Sequence, residues 1–407
     1  MLVRKPPPKR FIGLDLHKYY LVATAVDQDL NKVYGPKRVD LIELHAWMEK
    51  TLSSEDAVVL EMTGNTWQVY DELLPHVHSV MVVHPPHVAL IVRAQVMTDK
   101  IAAFQLARLH AKGLLTGIWV PPQEVRDLRT LVAQREKMTA IKTQAKNRLQ
   151  ATLHRYHILP PEGKLFDADQ HPWWLSLPVS KLELVRIQSD LDTLCFAQQQ
   201  IAKVESCMAA WAVNDERIAL LFQLTGVGLV TAVTVLAAVG DITRFPDAEH
   251  LVGYSGLGAR VHDSGLTSRS GGITKAGRRD LRAVLVEAAQ ICVLHDPRWK
   301  AELARLEPRL GRNKAIVAIA RKMLVIIWHI LIKHEAEKHL DLERLARKFY
   351  EFAYTVGKAN WGECMSAVSF IRHRLDQAGV GQEMSSFFYG GRRINLPPSA
   401  SPPAATK

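Results

Sequence analysis

Three β-rich runs open the chain, and helical and strand patterns alternate after them. Runs of β-favouring and apolar residues, with turn residues between them, predict strands at 11–14, 20–26, 32–39, 57–60 and 79–83, with helices at 41–50, at 67–74 and from about Thr98 onward. Three strands followed by alternating helix and strand is the order of an RNase-H-like domain. The sequence therefore predicts an α/β domain of that class over residues 1–120.

Three acidic residues fall at the ends of these predicted elements. Asp15 ends the first strand, Glu61 ends the fourth strand and Asp99 opens the last helix. Neighbouring strand ends lie side by side in a sheet, and clustered carboxylates repel one another unless a hard cation such as Mg²⁺ bridges them. Asp99 alone could simply favour a helix N-terminus. The three together predict a metal site of the kind that clamps the oxygens of a phosphodiester.

Two long helical patterns follow, at 126–154 and 184–208, joined by a loop rich in proline and tryptophan. Most apolar spacings in the second pattern alternate three and four, as in a coiled coil. The sequence thus predicts a helical coiled-coil segment over residues 121–213. A dimerisation arm and an intramolecular helical hairpin fit this spacing equally well. The basic face of the first helix could hold nucleic acid or be solvated.

A glycine-containing bend then separates two apolar helical runs, at 218–224 and 230–239. Gly226 and Gly228 lie at this bend, in the sequence LTGVGL. The pattern is typical of a helix-hairpin-helix, in which backbone N–H groups of the turn face a phosphate, although a plain helical hairpin would also use glycine here. The bend opens a mainly α domain predicted over residues 214–350. Residues 351–407 are predicted to form an extension that ends in a disordered tail.

The stretch from 253 to 282 combines seven glycines with six cationic residues. Glycine lets a backbone approach a ligand closely, and the arginine fork matches phosphate oxygens. The stretch runs directly into an apolar helix, which is unusual for a solvated linker. It therefore predicts a phosphate-handling loop, with nucleic-acid contacts from Arg260, Arg269, Lys275, Arg278 and Arg279.

Composition and absent motifs narrow the functional class. The net charge of +11 favours nucleic acid as the partner. The four cysteines lie singly, which argues against a disulfide framework or a structural zinc site. The amino terminus lacks the apolar run of a signal peptide, and charged residues interrupt the apolar run at 315–332, so a cytoplasmic protein without a membrane span is expected. Neither a P-loop nor a GxSxG nucleophile elbow occurs, which argues against an ATPase or an esterase.

The motifs around the three acids resemble those of one family. GLDLHK at Asp15, LEMTGNTW at Glu61 and MTDKIAA at Asp99 are similar to the DEDD motif set of the Piv-type transposases and invertases, the recombinases of bridge-RNA-guided insertion sequences. The later stretch from TGVG to LVEAA, which includes YSGLGARVHDSG, resembles the carboxy-terminal transposase domain of that family. The resemblance covers roughly residues 10–335.

This resemblance implies a fold, a mechanism and partners. A RuvC-like domain with an RNase H fold would bind Mg²⁺ through four acids, of which Asp15, Glu61 and Asp99 match the first three. Ser264, in the sequence Asp263-Ser264-Gly265, matches the serine that attacks DNA and forms a covalent phosphoserine link. The family further implies donor and target DNA, a noncoding guide RNA that pairs with both, and a dimer or tetramer with composite active sites.

The chain departs from the family pattern at the fourth acid. The family has a second aspartate three residues after the first in its third motif, but this sequence has Ala102. The alanine is either an engineered substitution, which the otherwise intact pattern favours, or a natural one, and in both cases an inactive or impaired recombinase is expected. Two further hypotheses are a RuvC-like nuclease that uses water as nucleophile and a non-catalytic scaffold that binds RNA or DNA.

Overall fold

The computed structural model describes residues 6–91, 98–264, 267–364 and 366–400. The chain divides into two compact units, Met1–Pro122 and Gln123–Lys407. The first unit is mixed α/β and the second is mostly helical, which confirms the predicted classes at this level. The finer boundaries predicted at 213/214 and 350/351 stay predictions.

The first unit is built on a five-stranded sheet. Its strands are β1 (Arg10–Leu16), β2 (Tyr20–Val26), β3 (Lys32–Asp40), β4 (Asp56–Glu61) and β5 (Ser79–Val83). They lie in the order β3-β2-β1-β4-β5, in which the first three are antiparallel and β1, β4 and β5 are parallel. The central strands are almost wholly buried, because β-branched and other aliphatic residues cover both of their faces.

The described residues of this unit form four helices: α1 (Leu44–Thr51), α2 (Thr66–Leu73), α3 (Pro85–Ile91) and α4 (Asp99–Ala111). Helix α3 was not predicted from the sequence. Helix α4 packs closely on β1 at Gly13, where an added Cβ would lie 2.1 Å from the Ala103 carbonyl oxygen and 2.6 Å from the Ala107 nitrogen. Only glycine allows such a close contact between β1 and α4. The contact holds α4, which begins at Asp99, against the sheet.

The second unit begins with a long helical hairpin. Helix α5 (Gln123–Arg155) and helix α7 (Lys181–Ala212) pack against each other, and the short α6 (His171–Leu175) closes the far end. Apolar residues of both long helices share one buried cluster with Trp174. The chain itself thus forms the intramolecular hairpin; a role as a dimerisation arm stays a prediction.

Helices also form the core of the second unit. They are α8 (Arg217–Phe222), α9 (Leu229–Val239), α10 (Ala248–Ser255), α11 (Arg279–His295), α12 (Pro297–Leu310), α13 (Arg312–Lys333) and α14 (Leu342–Val356). By length and hydropathy α13 alone, among the described residues, could cross a membrane, but half of its most apolar stretch is buried inside the protein. Its apolar residues belong to the core of the unit, as the sequence predicted.

The stretch predicted to be a phosphate-handling loop contains a strand pair instead of a simple loop. Between α10 and α11 lie β6 (Ala259–Ser264) and β7 (Thr267–Ile273), which pair in antiparallel fashion. The sequence prediction missed these strands because they contain aspartate and glycine, which are depleted in strands.

The carboxy-terminal extension contains α15 (Ala367–Gln377), β8 (Ser386–Tyr389) and β9 (Arg392–Asn395). Arg372 is buried and donates to the carbonyl oxygens of Gly381 and Pro397. The predicted disordered tail covers residues 397–407. Within it, Ser399 and Ala400 donate to the Asp376 carboxylate, and 401–407 lie outside the described residues.

Candidate active site

Two of the three predicted acids meet at one edge of the sheet in the first unit. Asp15 lies near the end of β1 and Asp99 is the first residue of α4. His17 lies between them: its Nε2 is 3.4 Å from Oδ2 of Asp15 and 3.3 Å from Oδ2 of Asp99. One donor atom from each of the three residues falls within 4.8 Å of the other two. The sequence interpretation missed His17, although a residue two positions after Asp15 is expected on the same side of an extended chain.

Neighbouring side chains hold this group in place. The Tyr20 hydroxyl donates to Oδ2 of Asp99 at 3.0 Å, and the Tyr20 ring stacks on the His17 ring at a centroid distance of 4.5 Å. The Arg38 guanidinium covers the Tyr20 ring at 3.9 Å. Asn65 donates from Nδ2 to the His17 carbonyl oxygen at 3.1 Å. The imidazole therefore has a fixed position at the edge of the sheet.

Glu61 lies on the strand next to Asp15. Strand β4 pairs in parallel with β1, and Leu14 and Leu60 are partners, so Asp15 and Glu61 follow at corresponding places. Burial raises the pKa of the Glu61 carboxyl, and the Asp15 charge raises it further. Glu61 is outside the group of three donors within 4.8 Å of one another. The structure thus brings Asp15, His17 and Asp99 together, with Glu61 close enough to interact electrostatically.

Asp15 is half-buried, and its surroundings disfavour a lone negative charge. Burial raises the pKa of its carboxyl; the neighbouring His17 lowers the pKa and the Asp99 charge raises it again. Nε2 of His17 is buried, and no acceptor among the described residues meets it with hydrogen-bond geometry. Converging carboxylates and a buried nitrogen without a hydrogen bond are the surroundings that a divalent cation would satisfy. The residues present therefore fit a metal.

Ala102 lies one turn after Asp99 on α4. Its backbone nitrogen donates to the Thr98 carbonyl oxygen at 2.8 Å, and its side chain is partly exposed. Residues three apart on a helix share a face. An aspartate at 102 would therefore be placed on the side of α4 that carries Asp99, whereas alanine contributes no ligand.

The predicted nucleophile lies at the end of β6 in the second unit. Ser264 pairs with Thr267 and Asp263 pairs with Ser268, so the serine is the last paired residue of β6. Gly265, the residue after it in the predicted motif, lies outside the described residues. Arg269 is on the paired strand β7, in register with His262.

The other predicted nucleic-acid contacts fall into two groups. Arg260 donates to the Thr274 carbonyl oxygen at 3.1 Å, and Arg278 forms an ion pair with Asp280. Lys275 and Arg279 are exposed near the start of α11. Lys275 and Arg279 are thus better placed to contact an external phosphate than Arg260 and Arg278, because Asp280 already compensates part of the charge of Arg278.

The predicted glycine bend has a packing role at one of its two glycines. Gly226 has φ of 83° and lies against α11, where an added Cβ would be 2.3 Å from the Ala288 carbonyl oxygen. Gly228 precedes α9 and meets no such neighbour. Lys348 donates from Nζ to three carbonyl oxygens around the bend, those of Phe222, Leu224 and Val227. A phosphate contact by the bend stays a prediction.

Comparisons with known proteins agree with the two-part organisation. Residues 12–158 match a transposase family model of the DEDD IS110 type. Residues 218–304 match the family model described as the transposase IS116/IS110/IS902 family. Together the two matches cover more than half of the chain and contain Asp15, Glu61, Asp99 and Ser264. The chain is an IS110-family transposase.

The similarity to individual relatives extends over most of the length of this transposase. It is 26% identical over 335 residues to the transposase of insertion sequence element IS1111A from Coxiella burnetii, covering 80% of this chain and 90% of that one. It is also 26% identical over 336 residues to the pilin gene-inverting protein of Moraxella bovis, covering 79% of this chain and 96% of that one. Family membership implies a DNA transposase or recombinase that acts on DNA, and the acid cluster suggests a divalent metal.

Proposed function

We propose that this transposase cuts and rejoins DNA through a covalent phosphoserine intermediate at Ser264, with Mg²⁺ held by Asp15, Glu61 and Asp99 in an RNase-H-like, RuvC-like unit. The observation that carries the proposal is the convergence of Asp15 and Asp99 at one sheet edge, inside the segment that matches the DEDD transposases. The name of the Moraxella bovis relative, a pilin gene-inverting protein, supports rearrangement of DNA as the reaction.

In this mechanism the serine exchanges one phosphate ester for another. The Ser264 Oγ–phosphorus bond forms as the bond from phosphorus to one DNA strand oxygen breaks, and that oxygen leaves with a proton. A hydroxyl of the incoming strand then attacks the phosphorus, the Ser264 Oγ–phosphorus bond breaks, and the serine oxygen takes up the proton that the hydroxyl loses. A bound Mg²⁺ would stabilise the charge that develops on the phosphate oxygens. A serine hydroxyl is a weak nucleophile without such activation, so both the serine and the carboxylates are required.

The proposal includes RNA and self-association. A noncoding guide RNA would pair with donor and target DNA, and the transposase would work as a dimer or tetramer. The net charge of +11 and the exposed Lys275 and Arg279 support a partner rich in phosphate. RNA that is extracted from the purified protein and sequenced should show one discrete species; its absence from an active preparation would remove the guide from the proposal.

Ala102 favours a second candidate function for the chain with its present sequence. Without the fourth acid the transposase would bind nucleic acid and assemble, but cut DNA slowly or not at all, and so act as a scaffold. A RuvC-like nuclease that uses water is the other enzyme to be distinguished. Its product would carry no covalent link to protein.

Trapping the DNA–protein adduct tests the serine. In the Ala102→Asp background we expect a metal-dependent adduct whose modified peptide contains phosphorylated Ser264. Ser264→Ala should abolish the adduct and leave DNA binding nearly unchanged. Ser268→Ala, on the paired strand, is the matched control and should keep the adduct. Strand exchange by the Ser264→Ala variant at the rate of its parent would refute the proposed nucleophile, and cleavage without an adduct would favour the nuclease.

A further inference from the structure

We propose that His17 is itself a metal ligand through Nε2, in addition to the acids, and that the site therefore prefers Mn²⁺ to Mg²⁺. The inference rests on the proposed metal site and adds a ligand and a metal preference to it. It concerns a nitrogen donor, whereas the four acids of the DEDD pattern offer only oxygen.

The distances around His17 suit neighbouring ligands of a single cation. Nε2 lies 3.4 Å from the Asp15 oxygen and 3.3 Å from the Asp99 oxygen. Adjacent ligands of an octahedral ion with bonds of about 2.1 Å are roughly 3 Å apart. The two distances from Nε2 exceed this spacing by only a few tenths of an ångström.

The imidazole is held in this position from several sides. Its backbone is fixed by the bond from the His17 nitrogen to the Tyr20 carbonyl oxygen, at 2.8 Å, and by Asn65 at the His17 carbonyl. Tyr20 stacks on the ring and also bonds Asp99. One residue thus orients two of the donors, which is the role of the outer shell at metal sites.

The burial of Nε2 argues that the atom has a better-aligned partner when the transposase is at work than the two nearby carboxylate oxygens supply. It is shielded from solvent, although the side chain as a whole is 35% exposed, and none of the described residues offers it a well-aligned acceptor. A buried polar atom without a well-aligned hydrogen bond destabilises the folded protein. An ion pair between a protonated His17 and the two carboxylates is the alternative, and it predicts no effect of His17 on metal selectivity.

The donor set determines the class of metal. Mg²⁺ strongly prefers oxygen ligands, whereas the affinity of a site that contains nitrogen for divalent transition ions begins at Mn²⁺ and rises towards Cu²⁺. A site with two converging carboxylates and one imidazole should therefore bind Mn²⁺ more tightly than Mg²⁺. Replacing the imidazole by oxygen should reduce that preference.

Metal binding to the full chain, freed of metal and nucleic acid, tests the inference. Mn²⁺ affinity is measured from the electron paramagnetic resonance signal of the free ion, and Mg²⁺ affinity from its competition with Mn²⁺. We expect the parent to prefer Mn²⁺ by at least about tenfold. His17→Ala should weaken Mn²⁺ binding by roughly tenfold or more and change Mg²⁺ binding less. His45→Ala, at an exposed histidine of the same unit, is the matched control and should change neither.

Two further variants separate the possible failures. Asp15→Asn should abolish the binding of both ions if the proposed metal site exists. If Asp15→Asn weakens Mn²⁺ binding and His17→Ala does not, the metal site stands and the inference about His17 is refuted. If neither variant changes Mn²⁺ binding, both the inference and the proposed site fail. His17→Asp, with a shorter oxygen ligand, should keep a metal site and favour Mg²⁺ relative to the parent, so the test does not depend on the alanine variant alone.

Discussion

At the residue scale, His110 on α4 makes the stability of the first unit depend on pH. Burial lowers its pKa from about 6.5 to about 4, and Nε2 has no hydrogen-bond partner among the described residues. Because the folded pKa is depressed, the folded state binds the proton less readily than the unfolded state does. The stability that depends on neutral His110 is therefore present above about pH 6.5 and is lost as pH falls to about 4.

The expected loss is roughly 3 kcal/mol in the free energy of unfolding, at about 1.4 kcal/mol for each unit of pKa shift. Urea unfolding at pH 7 and pH 4 measures it. His110→Gln, which does not titrate, should lose correspondingly less stability between the two pH values. The difference between the two proteins reports on His110 alone, because Asp15 and Glu61 are present in both. The raised pKa values of these two acids act in the opposite direction, since they favour the folded state as the pH falls. If the free energy of unfolding changes equally with pH in the two proteins, the protonation of His110 is not coupled to folding.

At the scale of elements, the contact between α4 and β1 positions Asp99. Gly13 allows it, because an added Cβ would overlap the backbone of α4 at Ala103 and Ala107. We expect Gly13→Ala to lower the free energy of unfolding by about 1–3 kcal/mol and to weaken Mn²⁺ binding, since α4 must move and Asp99 moves with it. Gly64→Ala is the control, because its Cβ meets no neighbour within 4 Å. Equal effects of the two variants on unfolding and metal binding would contradict this account.

The sequence predicted the elements that have a clear hydrophobic period. All five strands of the first sheet and the two long helices of the hairpin were anticipated, because runs of β-favouring residues mark the strands and a continuous apolar face marks the helices. Helix α3 is short and begins with two prolines, and β6 and β7 contain aspartate and glycine, which are depleted in strands, so these elements lack the hydrophobic period that marks the others.

The candidate site was predicted in part for a related reason. The positions of Asp15 and Glu61 at strand ends, and of Asp99 at a helix start, follow from the predicted secondary structure. The place of His17 between two carboxylates depends on how α4 approaches β1, and no periodicity in the sequence expresses that contact. The signal that the sequence offered for His17 was its position two residues after Asp15.

At the scale of the whole molecule, the basic character should appear as salt-dependent binding. Each phosphate neutralised releases counterions, so the affinity for duplex DNA should fall steeply as salt is added. Lys275→Ala and Arg279→Ala should each weaken binding to all sequences alike and reduce the slope of log affinity against log salt by about one. Lys300→Ala, at an exposed lysine on α12, is the control. An unaltered slope in both variants would show that these residues are only solvated.

Metal-dependent cleavage of DNA by the parent and by its Ala102→Asp variant tests the central claim most directly. With Mg²⁺ as the only divalent ion, the account predicts that the aspartate variant cleaves its DNA at least about a hundredfold faster, because a metal misplaced by a missing ligand costs on that order in rate. Nucleic-acid affinity should be the same for both proteins. If the parent cleaves as fast as the aspartate variant, Asp15, Glu61 and Asp99 do not form a metal site that position 102 completes, and the assignment is wrong.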